Sequence, residues 1–258
     1  MRNVPIAALD HLPVDVLPVG TDYPPDFLLA RHRHRRAQLL YGASGVMQVE
    51  TDEGSWTVPT DRAVLIPPDV DHEVLMLGVT TWSLYIEPDA VPWWPSACTV
   101  VEVGPLLREV LRAANELDLD YDLAGRDGTL VRLALEELQR VSPAPFAIVL
   151  PKDEPFRSLC RAYLARPELA VTNVVWARAA AMSPRTFDRR FHDATGTAPA
   201  EWRARARLLA GLRLLASATV TEVSGMLGYA SPAAFTAAFT RTFGQPPSRF
   251  LPRSVSGG

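Results

Sequence analysis

The chain has 258 residues, a net charge of −3, 48% hydrophobic residues and a mean hydropathy of +0.03. That balance suits a soluble globular protein of one or two domains. It excludes a helical membrane protein, since no apolar run approaches the roughly 18 residues of a span. The N-terminal stretch has one basic residue and no apolar core of signal length, so cytoplasm is the expected compartment. Cys98 and Cys160 lie 62 residues apart without CxxC spacing, which argues against a disulfide scaffold or a zinc finger. The small net charge conceals a division. Residues 1–150 hold 11 Lys and Arg against 22 Asp and Glu, a net of −11. Residues 151–258 hold 15 against 7, a net of +8. A basic half of this kind suggests a polyanionic partner, the alternative being a solvated basic face.

In chain order, residues 12–103 read as short strands. Trp82-Ser83-Leu84-Tyr85-Ile86 alternates apolar and polar, and turn residues recur at Asp52-Glu53-Gly54, Pro59-Thr60-Asp61, Pro67-Pro68-Asp69 and Leu77-Gly78. Such spacing predicts a β-sandwich or small barrel. Over 104–142 the period becomes helical, with Leu107, Val110, Leu111 and Ala114, then Leu130, Leu133, Ala134 and Leu138. This predicts a helical hairpin, a candidate dimer interface. Ser142-Pro143-Ala144-Pro145 ends it and opens a linker over 143–152.

Residues 153–258 read as helices throughout. Expected N-caps are Asp153, Thr172, Ser183 and Ser231, the last two followed by proline at the first helical position, and Thr221 for a short helix. The segment repeats itself at an offset of 48: Ser183-Pro184 with Ser231-Pro232, Phe187 with Phe235, Phe191 with Phe239, Gly196 with Gly244, Pro199 with Pro247. Each unit is a short helix, a turn and a Ser-Pro-capped helix, the helix-turn-helix plan in which the second helix enters the DNA major groove. In the first unit Arg185, Asp188, Arg189 and His192 share one face. The linking helix over 199–216 is about 27 Å long at ~1.5 Å per residue, a span suited to holding two recognition helices about one DNA turn apart.

The stretch Met182-Ser183-Pro184-Arg185-Thr186-Phe187-Asp188-Arg189-Arg190-Phe191, with Thr195-Gly196, Pro199 and Trp202, resembles the AraC/XylS family of transcription regulators. So does Leu227-Gly228-Tyr229-Ala230-Ser231-Pro232 with Phe235, Phe239, Phe243-Gly244 and Phe250. The resemblance implies two recognition helices. It puts base-reading positions on Arg185, Asp188 and Arg189 in the first unit and on Pro232, Ala233, Thr236 and Ala237 in the second. Alanines cannot make bidentate base contacts. The first unit is therefore expected to carry most specificity, and the second to grip phosphate, with Thr240 and Arg241 as candidates.

In the acidic half, His32-Arg33-His34, Gln38 and Gly45 form an HxHxxxQx6G frame, followed by Asp61 and by Pro67-Pro68-Asp69-Val70-Asp71-His72. These resemble the two cupin motifs, which implies convergence of His32, His34, Gln38 and His72 in a small barrel. Gln38 replaces the usual Glu, Asp61 and Asp69 stand where glycine is usual, and Met76 where Asn is usual. Alternation along one strand would place His32 and His34 on one face. Three neutral imidazoles can hold Zn, Ni or Fe with a position open for water or ligand; the alternative is a polar pocket without metal. Tyr41, Met47, Trp56, Trp82 and Tyr85 are candidate pocket walls. Residues 1–20, with three prolines, could form an arm over the barrel.

The expected fold class is α+β in two domains: a cupin-like β-barrel (1–103) with a helical hairpin (104–142), and an all-α double helix-turn-helix (153–258). The expected function is a DNA-binding transcription regulator, not an enzyme, that responds to a small-molecule or metal effector. Expected partners are promoter DNA, the effector and a second copy of the chain, with no membrane. A metal-dependent cupin enzyme fused to a DNA-binding module is the competing reading, and an effector-free architectural DNA-binding protein a third. No P-loop, GxGxxG or Ser–His–Asp pattern supports other enzyme classes.

Overall fold

A computed structural model describes residues 6–251, which form two compact units. The first runs to Thr51 and resumes over Trp56–Pro145; the second takes Asp52–Ser55 and everything from Phe146 onward. A short piece of the first half thus goes with the second unit.

The first unit has strands β1 (Val16–Tyr23), β2 (Phe27–His32), β3 (Ala37–Gly42), β4 (Val46–Glu50), β5 (Gly54–Pro59), β6 (Arg62–Ile66), β7 (His72–Leu77), β8 (Val79–Ile86) and β9 (Thr99–Glu102). They make an antiparallel sandwich, one sheet in the order β1-β8-β3-β6-β9 and the other containing β5-β4-β7-β2. The tight connections need left-handed backbone. Asp61 (φ 61°) and Asp69 (φ 56°) adopt it where the resembled motif has glycine. Aspartate is among the few residues that visit this region readily, so the departure in sequence preserves the turn.

Helices α1 (Pro105–Ala114) and α2 (Arg126–Leu138) form the expected hairpin. Leu107, Val110, Leu111, Ala114, Val131, Ala134 and Leu138 pack on Ala37, Leu39, Tyr41, Leu84 and Ile86, one face of the first sheet. Leu106 and Leu133 remain exposed. Before β1, a 3-10 turn at Ile6–Ala8 leads to Leu9, which packs with Leu17, Val19 and Tyr85. Arg36, fully buried, fastens this segment: it donates to Asp10 and to the carbonyls of Leu12, Val14 and Asp15, and pairs with Glu87. Of the expected arm, residues 1–5 lie outside the described residues.

The second unit contains β10 (Ala147–Val149), α3 (Phe156–Ala165), α4 (Asn173–Ala179), α5 (Pro184–Thr195), α6 (Pro199–Leu214), α7 (Val220–Met226) and α8 (Pro232–Phe243). The expected 143–152 linker thus holds a strand. Its backbone is used by later side chains: Trp202 Nε1 donates to the Val149 carbonyl at 3.0 Å and Arg205 Nε to that of Ala147 at 2.9 Å. Three expected caps are present, with the side chains of Thr172, Ser183 and Ser231 accepting from Val175, Thr186 and Ala234 amides. Two caps need correction. α3 begins after Pro155 rather than Asp153, and α7 is capped by Thr219 rather than Thr221. Glu222 three residues on from Thr219 completes a reciprocal capping box, which Thr221 has no partner to make. Gly196 and Gly244 end α5 and α8 with φ of 72° and 73°, a conformation that suits glycine.

Candidate functional site

The first candidate site lies on the inward face of the first unit. β2 ends at His32, which pairs across to His72 on β7. His34 is not on that strand. It sits in the connection to β3, where its carbonyl accepts from the Asp69 amide at 2.9 Å. The alternation expected for His32 and His34 is therefore not what unites them; the turn returns His34 to the cluster. Ring centroids are 4.3 Å apart for His32 and His72, 5.1 Å for His34 and His72, and 6.1 Å for His32 and His34. One ring nitrogen from each lies within 4.8 Å of the others.

Each ring is oriented by the backbone. Nδ1 of His32, His34 and His72 donates to the carbonyls of Ala30 (2.9 Å), Arg36 (2.6 Å) and Val70 (2.8 Å). A neutral ring that donates through Nδ1 carries its lone pair on Nε2. Burial pushes the His72 pKa down to about 4 and lowers that of His34, so both rings are neutral at pH 7. His34 Nε2 faces Gln38 Oε1 at 3.0 Å. With Nδ1 as the donor, this contact is a hydrogen bond when the carboxamide presents its NH2 to Nε2. Gln38 is steadied on its other side by Ser83 Oγ at 3.4 Å.

The pocket-wall candidates divide. Gln38 pairs across to Tyr85, and the Tyr85 ring lies 5.1 Å from His34, so Tyr85 belongs to the cluster. Met47 pairs with Met76, which shares a face of β7 with His72. Trp56 is buried on β5. Tyr41 and Trp82 stand apart. They stack at 5.5 Å on the opposite face of the first sheet, within the core shared with α1 and α2, and Tyr41 OH donates to Asp61. They lie three positions along the register from Gln38 and Tyr85, an odd number, which sends them to the other face. Sequence reasoning missed Arg36, in the connection before β3, and Ser83, on β8; their burial marks them.

The second candidate site is the pair of helix faces on the second unit. Phe187 and Phe191 of α5, and Phe235 and Phe239 of α8, are all fully buried. Opposite them, Arg185 and Arg189 are exposed on α5, and Ala233, Ala237 and Arg241 on α8; Thr236 and Thr240 are half-buried. Asp188 is also half-buried and accepts from Asn173 Nδ2 at 2.9 Å. Arg190, beside them, lies over the Phe156 ring. Sequence reasoning did not find Asn173 or Arg203, the latter buried on α6 with its guanidinium 4.7 Å from the Trp176 ring. No helix among the described residues is long and apolar enough to cross a membrane.

Family models match both halves of the chain. Residues 17–159 match the AraC-like ligand binding domain and residues 176–253 a helix-turn-helix domain. The HTH-type transcriptional regulator NimR of Escherichia coli is 27% identical over 224 residues, 86% of this chain and 82% of that protein. Among solved structures, ToxT of Vibrio cholerae with a bound unsaturated fatty acid aligns with 95% of this chain and 98% of its own at 11% identity and a TM-score of 0.39. The DNA-binding domain of AdpA with its target DNA is 35% identical, covering 38% of this chain and 90% of its own, with a TM-score of 0.35. With more than half its length in the ligand-binding match and a double helix-turn-helix behind it, the chain belongs to the AraC family: it is a DNA-binding transcription regulator with an N-terminal ligand-binding domain.

Proposed function

We propose that the ligand-binding domain senses a divalent cation, or a small molecule held through one, at His32, His34, His72 and Gln38, and that occupancy changes DNA binding by the second unit. The observation that carries this reading is the shared anchoring of three convergent imidazoles, each Nδ1 on a backbone carbonyl. Such anchoring fixes tautomer and ring plane in metal-ligating histidines. Imidazoles with a carboxamide oxygen suit Zn, Ni or Fe and leave a position for water or an effector oxygen. Met47, Trp56 and Tyr85 are the walls of this pocket. We read the site as a sensor and not as a catalytic centre, in keeping with relatives that are transcriptional regulators. A ligand must bind one state of the regulator more tightly than the other to act.

On DNA, Arg185 and Arg189 read bases from α5, while Ala233, Thr236 and Ala237 give α8 only apolar and short polar contacts and Thr240 and Arg241 meet phosphate. A cytoplasmic homodimer through the exposed Leu106 and Leu133 completes the reading. Sedimentation of Leu106→Glu and Leu133→Glu tests the dimer; Leu107 and Leu111 are unsuitable because they serve the core.

The experiment for the sensor is metal analysis of the purified chain, with DNA footprints before and after chelation. Protection that changes on chelation and returns with one added metal is the expected result. A chain that binds none of the three metals, with an unchanged footprint, overturns the metal reading.

A further inference from the structure

Around α5, at about 100° per residue, the side chains fall into an order. Relative to Asp188, Phe187 and Phe191 lie about 100° and 60° to one side, and Arg185 and Arg189 about 60° and 100° to the other. The phenylalanines are fully buried and the arginines exposed. Asp188 therefore stands on the shoulder between the core stripe and the DNA-facing stripe. Its oxygen accepts from Asn173 Nδ2 at 2.9 Å. Asn173 Oδ1 in turn accepts from Arg203 Nη2. Arg203 is 5% exposed, lies over Trp176, and its Nη1 has no hydrogen-bond partner among the described residues. The three links come from α5, α4 and α6.

A buried guanidinium is costly unless its hydrogen bonds and counter-charge are supplied. Here one carboxamide relays it to one carboxylate. Rotating α5 to bring Asp188 to a base edge would break the relay and strand the Arg203 charge. A free carboxylate on that face would also be repelled by phosphates, and cytosine N4 is the main base-edge donor it could use.

We propose that Asp188 is a positioning residue and not a base reader: through Asn173 and Arg203 it sets the rotation of α5, and so the aim of Arg185 and Arg189. This rests on the reading that α5 is the base-reading helix, and it departs from the family correspondence at Asp188.

The test uses the full chain and a duplex that the wild type selects from a randomised library. Affinities are measured, corrected for active fraction, for that duplex, its single-base-pair variants and a non-specific duplex. Asp188→Ala is expected to weaken the selected duplex roughly five- to thirtyfold, to blunt discrimination at every base pair that Arg185→Ala and Arg189→Ala affect, and to leave non-specific binding unchanged. Asn173→Ala does the same, and the double variant adds little. Asp188→Asn retains the acceptor for Asn173 but not the counter-charge, and is expected to fall between the wild type and Asp188→Ala. Loss of preference at a single base pair, with Asp188→Asn equally impaired, makes Asp188 a reader and overturns the proposal. Equal loss on specific and non-specific duplexes overturns it as well, in favour of general destabilisation. If Arg185→Ala and Arg189→Ala change no preference, the base-reading assignment of α5 fails first, a result recognisable without any Asp188 variant.

Discussion

The two helix-turn-helix units share a scaffold and differ in almost everything that scaffold presents. In both, a serine caps the second helix, proline follows, two phenylalanines fill the core and a left-handed glycine ends the helix. On the outside, α5 carries Arg185 and Arg189 where α8 carries Ala233 and Ala237. Inside, the first unit has the Asp188–Asn173–Arg203 relay; the second has a capping box at Thr219 and Glu222. Even the turns differ: α4 and α5 are separated by one residue fewer than α7 and α8. Each turn still contains one left-handed residue, Ala181 (φ 53°) and Gly228 (φ 72°). The lesson is that capping and core packing specify a helix pair, while base recognition depends on positions that neither constrains.

The largest effects should test whether the scaffolds are equivalent. Phe191→Ala and Phe239→Ala each remove a fully buried ring and should each cost about 3–5 kcal/mol in denaturant unfolding of the helical half that holds both. A marked inequality would break the comparison at its base. Next comes the asymmetry of the surfaces. Arg185→Ala should cost roughly 1–3 kcal/mol on a selected duplex and relax one base pair; Ala233→Gln should leave the selected sequence largely unchanged. If both scramble preference equally, the division of labour is wrong.

The turns offer a smaller contrast with opposite signs. A left-handed alanine costs roughly 1–2 kcal/mol, so Ala181→Gly should raise the thermal midpoint despite glycine's entropy. Gly228→Ala should lower it, because the backbone strain is joined by a Cβ that would lie 2.2 Å from Leu169 Cδ1. Smallest are the caps: Ser183→Ala and Ser231→Ala should each lose about 1 kcal/mol, and a difference between them would show that one unit leans more on its neighbours.

Much of this was legible in the residues. Ser183-Pro184 and Ser231-Pro232 announce helix starts because the capping chemistry is local. The histidine frame was legible because a motif repeats a turn geometry, and Asp61 and Asp69 kept that geometry despite replacing glycine. Other features were not. Tyr41 and Trp82 look like pocket walls until the register shows them facing the helical hairpin. Leu107 and Leu111 look like an interface until the sheet covers them. Thr221 and Thr219 are equal candidates by residue type, and only Glu222, reaching back to Thr219, separates them. The strand Ala147–Val149 was hidden because Trp202 and Arg205, the side chains that use its carbonyls, are more than 50 residues away.

By itself, then, the sequence determined the family, the repeat, the charge division and the residues able to do chemistry, since these follow from residue type and from spacing over one or two turns. Only the tertiary structure decided which face each residue serves. His34 joins His32 and His72 from outside the strand, and Asp188, on the shoulder of α5, accepts from Asn173 on α4. The physical reason is the same in both cases. Hydrogen-bond partners and desolvation come from elements distant in the chain, and for a buried polar group they outweigh the local pattern.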